Sequence, residues 1–172
     1  MRTVHWNTMG TVCSLSTPAG PTEQAVAEVR AVFDDIEDRF STWRPTTEAS
    51  AVVAGALPVE QASEDFRSVR RRAEQWRART GGAFDPRRPN GAVDLTGIVK
   101  AVAIERAGEA LDRAGETDWC LNVGGDVLVR GADGERPWVA GIVDPLDRQA
   151  LLSRATLGTP PRHRHVGGLR AR

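Results

Sequence analysis

The order in which strand-like and helical patterns follow each other constrains the fold of this chain more than any other feature. Residues 3–17 alternate loosely between apolar and polar side chains, as a strand or a hairpin does. Helical patterns fill most of residues 18–118, and strand-like runs return only at residues 119–123, 127–130, 138–143 and 151–157. Helices and strands segregated in this way predict an α+β fold, in which helices pack on a largely antiparallel sheet.

Three helices are predicted from apolar side chains that recur every three or four residues. The first opens at Pro21-Thr22-Glu23, and its apolar stripe runs to Phe40. The second has Ser63 as its N-cap and Gly81 as its stop, with a stripe made of Phe66, Val69, Ala73 and Trp76. The third covers residues 97–114, and residues 47–50 are compatible with one further helical turn.

The composition is that of one globular domain. The chain has 172 residues, of which 40% are apolar and 27% charged, so disordered, collagen-like and coiled-coil classes are excluded. No apolar run reaches the roughly 18 residues of a membrane span, and no basic patch precedes an apolar leader, so we expect a cytoplasmic protein. Cys13 and Cys120 have no metal-site spacing and are predicted to be free thiols.

Charge divides the chain into two parts. Residues 1–147 carry 17 basic and all 23 acidic side chains, whereas residues 148–172 carry six arginines and no acid. After Gly158 the sequence has adjacent prolines and no apolar period. We therefore predict a folded domain at residues 1–157 and a basic, disordered tail at residues 158–172.

Three glycine-containing segments are candidates for chemistry, and each has a structural alternative. Residues 80–86 follow a helix, so their glycines can simply cap it. Residues 94–100 combine an N-cap pattern with Lys100, which is placed one turn into a helix where a phosphate can bind. Residues 122–126 form either a tight corner or a close approach to a ligand.

The sequence lacks the motifs of several other functional classes. The chain has neither a dinucleotide-binding glycine pattern followed by a helix, nor a P-loop, nor a nucleophile elbow. His163 and His165 form a pair without a third metal ligand, so a solvated tail is the simpler interpretation. The arginines of residues 67–79 leave nucleic-acid binding as a third hypothesis, although acids dilute the cluster and we expect no nucleic-acid partner.

Taken together and in this order, the segments resemble the ApbE family of FAD:protein FMN transferases. Thr-Met-Gly-Thr at residues 8–11 is similar to the family's Met-Gly-Thr, and Phe-Ser-Thr-Trp-Arg-Pro at 40–45 to its Phe-Ser-x-aromatic-x-Pro. Gly-Ala-Phe-Asp-Pro at 82–86 resembles Gly-x-Phe-Asp-Pro. Asp-Leu-Thr-Gly-Ile-Val-Lys-Ala at 94–101 resembles Asp-Leu-Gly-Gly-Ile-Ala-Lys-Gly, and Asn-Val-Gly-Gly-Asp at 122–126 follows.

The resemblance implies a T-fold-like α+β domain that binds FAD, with Mg²⁺, and transfers FMN to a Ser or Thr hydroxyl of a target flavoprotein. It implies a catalytic role for Lys100 and a metal contact through the backbone carbonyl of Val99. It also implies that the nucleotide is contacted by Met9, Trp43, Asp85, Lys100, Asn122, Gly124, Gly125 and Asp126. The oligomeric state stays open.

The chain departs from the family pattern in two ways. Thr96 and Ala101 replace glycines, so their Cβ atoms are expected to crowd a closely bound ligand. The family's later Thr-Ser-Gly and His-Ile-Ile-Asp-Pro-x-Thr-Gly, to which the resemblance assigns a catalytic His and further metal ligands, have no counterpart here. We therefore expect a domain without its C-terminal part, and either reduced transfer or flavin binding without catalysis.

Overall fold

The structure is a computed structural model that describes residues 1–147, 149–158 and, for the backbone alone, 164–166. The helices are α1 Glu23–Phe40, α2 Glu48–Val53, α3 Glu64–Arg79 and α4 Thr96–Arg113, with a 3₁₀ turn at Val59–Gln61. The strands are β1 Arg2–Thr8, β2 Thr11–Thr17, β3 Trp119–Val123, β4 Asp126–Arg130, β5 Trp138–Val143, β6 Leu151–Leu157 and β7 Arg164–Val166. The chain forms two compact units, residues 1–30 with 104–172, and residues 31–103.

The first unit is built on an antiparallel sheet with the strand order β1-β2-β3-β4-β7. Alternate residues of its strands are buried, as in Trp119, Leu121 and Val123 of β3. The second half of α4 lies against this buried face, because a Cβ added at Gly108 would come within 3.0 Å of the Trp119 ring. The antiparallel sheet and the helices on it confirm the predicted α+β fold.

A separate two-stranded sheet joins β5 to β6. Its base is buried, since Trp138 and Leu157 pack with Val129 of β4, and the Trp138 indole N–H donates to the Arg130 carbonyl oxygen at 3.0 Å. Its far end leaves large apolar side chains exposed, among them Ile142, Val143, Leu146, Leu151 and Leu152. The two strands were predicted from the sequence, but their separation from the larger sheet was not.

The second unit packs helices around an aromatic pair. The rings of Phe40 and Phe66 stack with their centroids 5.6 Å apart and their planes 12° from parallel. Ser63 caps α3 as predicted, because its hydroxyl accepts from the Phe66 N–H at 3.1 Å. Glu48 of α2 accepts from both the N–H and the hydroxyl of Ser63, which fixes the start of α3.

The predicted helices are all present, and one predicted core residue is wrong. Trp76 continues the apolar spacing of α3, yet its side chain is 39% exposed and carries the Arg79 guanidinium 4.4 Å from its ring centroid. The stripe therefore ends at Ala73, which is fully buried. The short 3₁₀ turn at Val59–Gln61 was not predicted.

The basic tail was predicted to be disordered, but three of its residues form β7, which pairs with β4. Residues 159–163 and 167–172 of that tail, including His163, lie outside the described residues. Within the described part of the chain, no helix has the length and apolar character needed to cross a bilayer. Cys13 and Cys120 are free, as predicted, and burial raises the pKa of the Cys13 thiol to about 12.

Candidate functional site

In the first unit, the segment around Met9 forms the turn between β1 and β2. Thr8 pairs with Thr11, so Met9 and Gly10 make a two-residue loop, with φ of 48° and 69°. Two positive φ values are typical of a type I′ hairpin turn. Among the described residues, Met9 is the one non-glycine residue with a positive φ. Such local backbone strain often marks a functional position.

The predicted corner at residues 122–126 is a second two-residue turn, between β3 and β4. Gly124 and Gly125 have φ of 60° and 94°, and the Gly125 N–H donates to the Asn122 side-chain oxygen at 2.9 Å. This bond explains both the asparagine and the glycines in structural terms, because the side chain closes a turn that only glycine enters without strain. Asp126 is the first residue of β4 and is half-buried.

These two turns of the first unit lie side by side. The Gly124 N–H donates to the Val12 carbonyl oxygen at 3.0 Å, and a Cβ on Gly124 would lie 2.5 Å from the Thr11 hydroxyl oxygen. The Thr8 hydroxyl next to them is buried and has no hydrogen-bond partner among the described residues. The sheet thus brings together two segments that are more than 100 residues apart in sequence, and their contact with a ligand stays a prediction.

In the second unit, the segment at residues 94–100 starts α4. Both the N–H and the hydroxyl of Thr96 donate to one Asp94 carboxylate oxygen, at 3.0 and 2.7 Å, and the Arg88 guanidinium donates to the other at 2.8 Å. Burial raises the pKa of Asp94, but these hydrogen bonds outweigh burial and hold the pKa below its usual range. The capping interpretation of this segment is therefore confirmed.

The capping hydrogen bonds also hold Thr96 in position. In the family motif that this segment resembles, glycine occupies the position of Thr96. Its side chain is exposed and closes the cap, and Ala101 is half-buried in the second turn of α4. Lys100 is half-buried and Val99 is buried, one turn into the helix as predicted. The Thr96 N–H is already engaged by Asp94, so this donor is not available to an anion.

The segment at residues 82–86 lies against the start of α4. The Asp94 N–H donates to the Pro86 carbonyl oxygen at 2.8 Å, and a Cβ at Gly97 would lie 2.9 Å from the Phe84 ring. Gly97 is thus needed for the close approach of an aromatic ring to the helix. Sequence reasoning missed this role of Phe84, because spacing alone does not show which side chain a glycine accommodates.

Asp85 lies between two arginines. Arg77 of α3 donates to one of its carboxylate oxygens at 2.9 Å and Arg87 to the other at 3.2 Å. The hydrogen bond from Arg77, reinforced by the charge of both arginines, holds the pKa of Asp85 below its usual range. Neither arginine was predicted to touch Asp85. Its expected contact with a flavin nucleotide stays a prediction.

Trp43 is a predicted site residue that is almost fully exposed. Its side chain is 92% exposed, although the loop that carries it is held in place on both sides. The Thr47 hydroxyl donates to the Ser41 carbonyl oxygen at 2.5 Å, and the Ser50 hydroxyl donates to the Arg44 carbonyl oxygen at 2.7 Å. An indole displayed on an ordered loop is suited to stacking on a flat ligand.

The described residues do not form a protein-only metal site. No group of three or more His, Cys, Asp or Glu side chains lies together in residues 1–147 and 149–158. Mg²⁺ prefers about six oxygen ligands. The Val99 carbonyl, the ligand that the sequence resemblance implies, supplies one at most. The described part of the chain by itself therefore does not fit a resident Mg²⁺ ion.

Comparison with known proteins agrees with the order of the motifs. The ApbE family model matches residues 9–88 and 87–162. A curated FAD:protein FMN transferase from Rhodobacter capsulatus is 38% identical over 68 residues, which are 40% of this chain and 13% of that protein. The matched segment is therefore a small part of that relative.

Solved structures show the same fold. The flavin transferase ApbE from Vibrio cholerae superposes with a TM-score of 0.68 at 18% identity, over 84% of this chain and 64% of that one. The ApbE protein from Thermotoga maritima gives 0.74 at 18% identity, over 91% and 67%. The apo flavinyl transferase ApbE from Pseudomonas stutzeri gives 0.70 at 17% identity, over 82% and 64%. This chain thus spans about two thirds of each.

Proposed function

The chain belongs to the ApbE family, and from this premise we propose that it acts in the transfer of FMN from FAD to a protein. The observation that supports the proposal is the family match itself, which runs through every predicted motif from residue 9 to residue 162. The curated relative, a FAD:protein FMN transferase, supports the same chemistry.

In the proposed reaction, the acceptor is a Ser or Thr hydroxyl of a target flavoprotein. Its oxygen attacks the FMN-side phosphorus of FAD and forms a phosphoester bond, the pyrophosphate P–O bond breaks, and AMP leaves with the bridging oxygen. The hydroxyl proton is lost to a base and AMP takes the negative charge. Because charge builds up on the pyrophosphate, the chemistry needs cations and N–H donors near it.

Within the described residues, we propose Lys100 as the catalytic cation that meets this charge. Its ammonium is a compact point charge of the kind that binds phosphates. Trp43 is proposed to stack on the flavin nucleotide, since its indole is 92% exposed on an ordered loop. We propose that Met9 and Asp85 also contact the flavin nucleotide, and that the corner at residues 122–126 holds its polar parts together with Lys100.

We also propose that transfer requires Mg²⁺, with the Val99 carbonyl as one ligand. A catalytic Mg²⁺ ion is commonly held by few protein oxygens together with substrate phosphates. Since the described residues lack a cluster of three ligating side chains, no step of the reaction above is assigned to the ion. A cytoplasmic location and the lack of a nucleic-acid partner likewise stay predictions.

The proposal is tested by incubating the purified chain with FAD, Mg²⁺ and a flavin-accepting protein, followed by intact-mass analysis of the acceptor. We expect the acceptor to gain the mass of one FMN, less water, and to gain nothing when Mg²⁺ is chelated. An acceptor of unchanged mass, in a sample that still binds FAD, would contradict transfer by this chain.

That second outcome defines the alternative function, which is flavin binding without catalysis. Among the described residues no three His, Cys, Asp or Glu side chains lie together, and this favours flavin binding without metal-dependent transfer. A titration with FAD that shows binding, together with a negative transfer assay, would select this alternative.

A further inference from the structure

The outer face of α3 carries a basic surface that the proposed flavin chemistry does not use. A depression of about 310 Å³ on this helix is lined by Ser68, Arg71, Arg72, Gln75, Trp76 and Arg79. These positions are three or one residues apart, so they form a single stripe along the helix. We call this stripe the arginine face. All of it belongs to the second unit.

The arginine face differs in charge from the rest of the chain. Helix α3 has six arginines against three acids, whereas residues 1–147 as a whole have 17 basic against 23 acidic side chains. No Asp or Glu is among the described residues that line the depression. The face is therefore a positive patch on an otherwise acidic part of the chain.

The side chains of this face are arranged as they are at protein interfaces. Arg79 stacks over the ring of Trp76, which is 39% exposed. Arginine and tryptophan are the residues that most often dominate binding energy at such interfaces. Arg71 already holds a carboxylate, since its guanidinium donates to Glu64 at 2.7 Å. A guanidinium of this face thus binds a carboxylate in the protein itself, and an acidic segment of a partner would compete with Glu64 for Arg71.

From this arrangement we propose that the arginine face docks an acidic segment of a partner protein. The stripe from Ser68 to Arg79 covers 11 steps of helix, or about 16 Å at 1.5 Å per residue. Extended chain advances about 3.3 Å per residue, so the face accommodates about five residues of a peptide. The proposal does not depend on flavin transfer.

A peptide fits this surface better than a nucleic acid does. The neighbouring groove on α3 is lined by Glu60 and Glu74 as well as by arginines, and a continuous phosphate chain leaving the face would meet these acids. The ring of Trp76 is covered on one side by Arg79, which leaves less of it for stacking on bases. Acidic side chains spaced along a peptide avoid both problems.

The test is a titration of the full chain into a fluorescein-labelled peptide of about ten residues that alternates Glu and Gly, followed by anisotropy at low salt. The comparison probes are a Gln-Gly peptide of equal length and a thymidine oligonucleotide of about ten residues. We expect the Glu-Gly peptide to bind about tenfold more tightly than either of them. Absence of peptide binding, or equal or tighter oligonucleotide binding, would overturn the proposal.

Two matched variants distinguish a specific effect of the arginine face on peptide binding from an effect of the chain's net charge. The variant R71Q/R72Q/R79Q is expected to weaken peptide binding about tenfold. The control R113Q/R136Q/R154Q removes the same charge from three exposed positions and should change binding less than about twofold. Equal weakening by both would refute a specific face. If circular dichroism shows that the first variant does not fold, Arg79→Gln alone should weaken binding about threefold, and no change would refute the proposal.

Discussion

Two tryptophans, one in each unit, show how differently an aromatic side chain can serve the same protein. Trp119 of β3 is fully buried, and its indole lies against α4, whereas Trp43 is 92% exposed. The loop around Trp43 is nevertheless held by hydrogen bonds from Thr47 and Ser50. The backbone is thus ordered without any packing contribution from the exposed ring, so the fold explains Trp119 but not Trp43.

The same contrast applies to the predicted site residues. The glycines of the corner at residues 122–126 have a complete structural reason, since they form a turn that packs against Thr11. A loss of function on changing them would be ambiguous. Trp43 has no structural role that would confuse the result, so it gives the cleaner test of flavin binding.

The largest effect is expected from Trp119→Ala, because a buried ring is lost and a cavity remains. We expect the free energy of unfolding to fall by about 3–5 kcal/mol, measured by urea denaturation. Trp43→Ala should change it by less than about 0.5 kcal/mol. If the two variants lowered the free energy of unfolding by similar amounts, the contrast between a structural Trp119 and a non-structural Trp43 would be wrong.

Gly124→Ala should have the next largest effect, about 1–3 kcal/mol, since the new Cβ would lie 2.5 Å from the Thr11 hydroxyl oxygen at a φ of 60°. Gly125→Ala is the matched control, because it has a positive φ but nothing within 4 Å. Adding Thr11→Ala should recover part of the loss in Gly124→Ala and none in Gly125→Ala. Equal recovery in both would show that close packing is not the cause.

A smaller effect is expected from Asp94→Asn, which keeps a capping oxygen but removes the charge that Arg88 contacts. The folded-state pKa of Asp94 lies below its usual value, so its charge contributes stability above the usual aspartate pKa of 3.8 and loses it as the pH falls further. We expect Asp94→Asn to lower the free energy of unfolding by about 0.5–1 kcal/mol at pH 7. The difference should shrink below pH 3.8, and a pH-independent difference would be inconsistent with this assignment.

Local patterns predicted most of the fold, and non-local contacts account for what was missed. The Ser63 cap, the Asp94 cap and the helix spans depend on residues a few positions apart, so the sequence contains the whole cause. The exposure of Trp76 and the arginines around Asp85 depend on which elements come together. Residue spacing carries no information on that point, so neither was predictable.

Trp43→Ala is expected to have the smallest effect on stability. Its expected effect is on FAD binding. If its ring stacks on the flavin nucleotide, its removal should weaken FAD binding about three- to tenfold while the melting temperature stays the same. Trp76→Ala, which removes another partly exposed tryptophan, is the control and should leave FAD affinity unchanged. Equal weakening by the two variants would mean that the effect is not specific to the loop.

The most direct test of the account is the affinity of the chain for FAD with and without the Lys100 ammonium, measured by isothermal titration. We predict that the wild-type chain binds FAD and that Lys100→Ala binds about tenfold more weakly, because a charged partner of the pyrophosphate is lost. Arg113→Ala, which removes an exposed cation from the last turn of α4, should bind like the wild type. An affinity that Lys100→Ala leaves unchanged would contradict the proposed site.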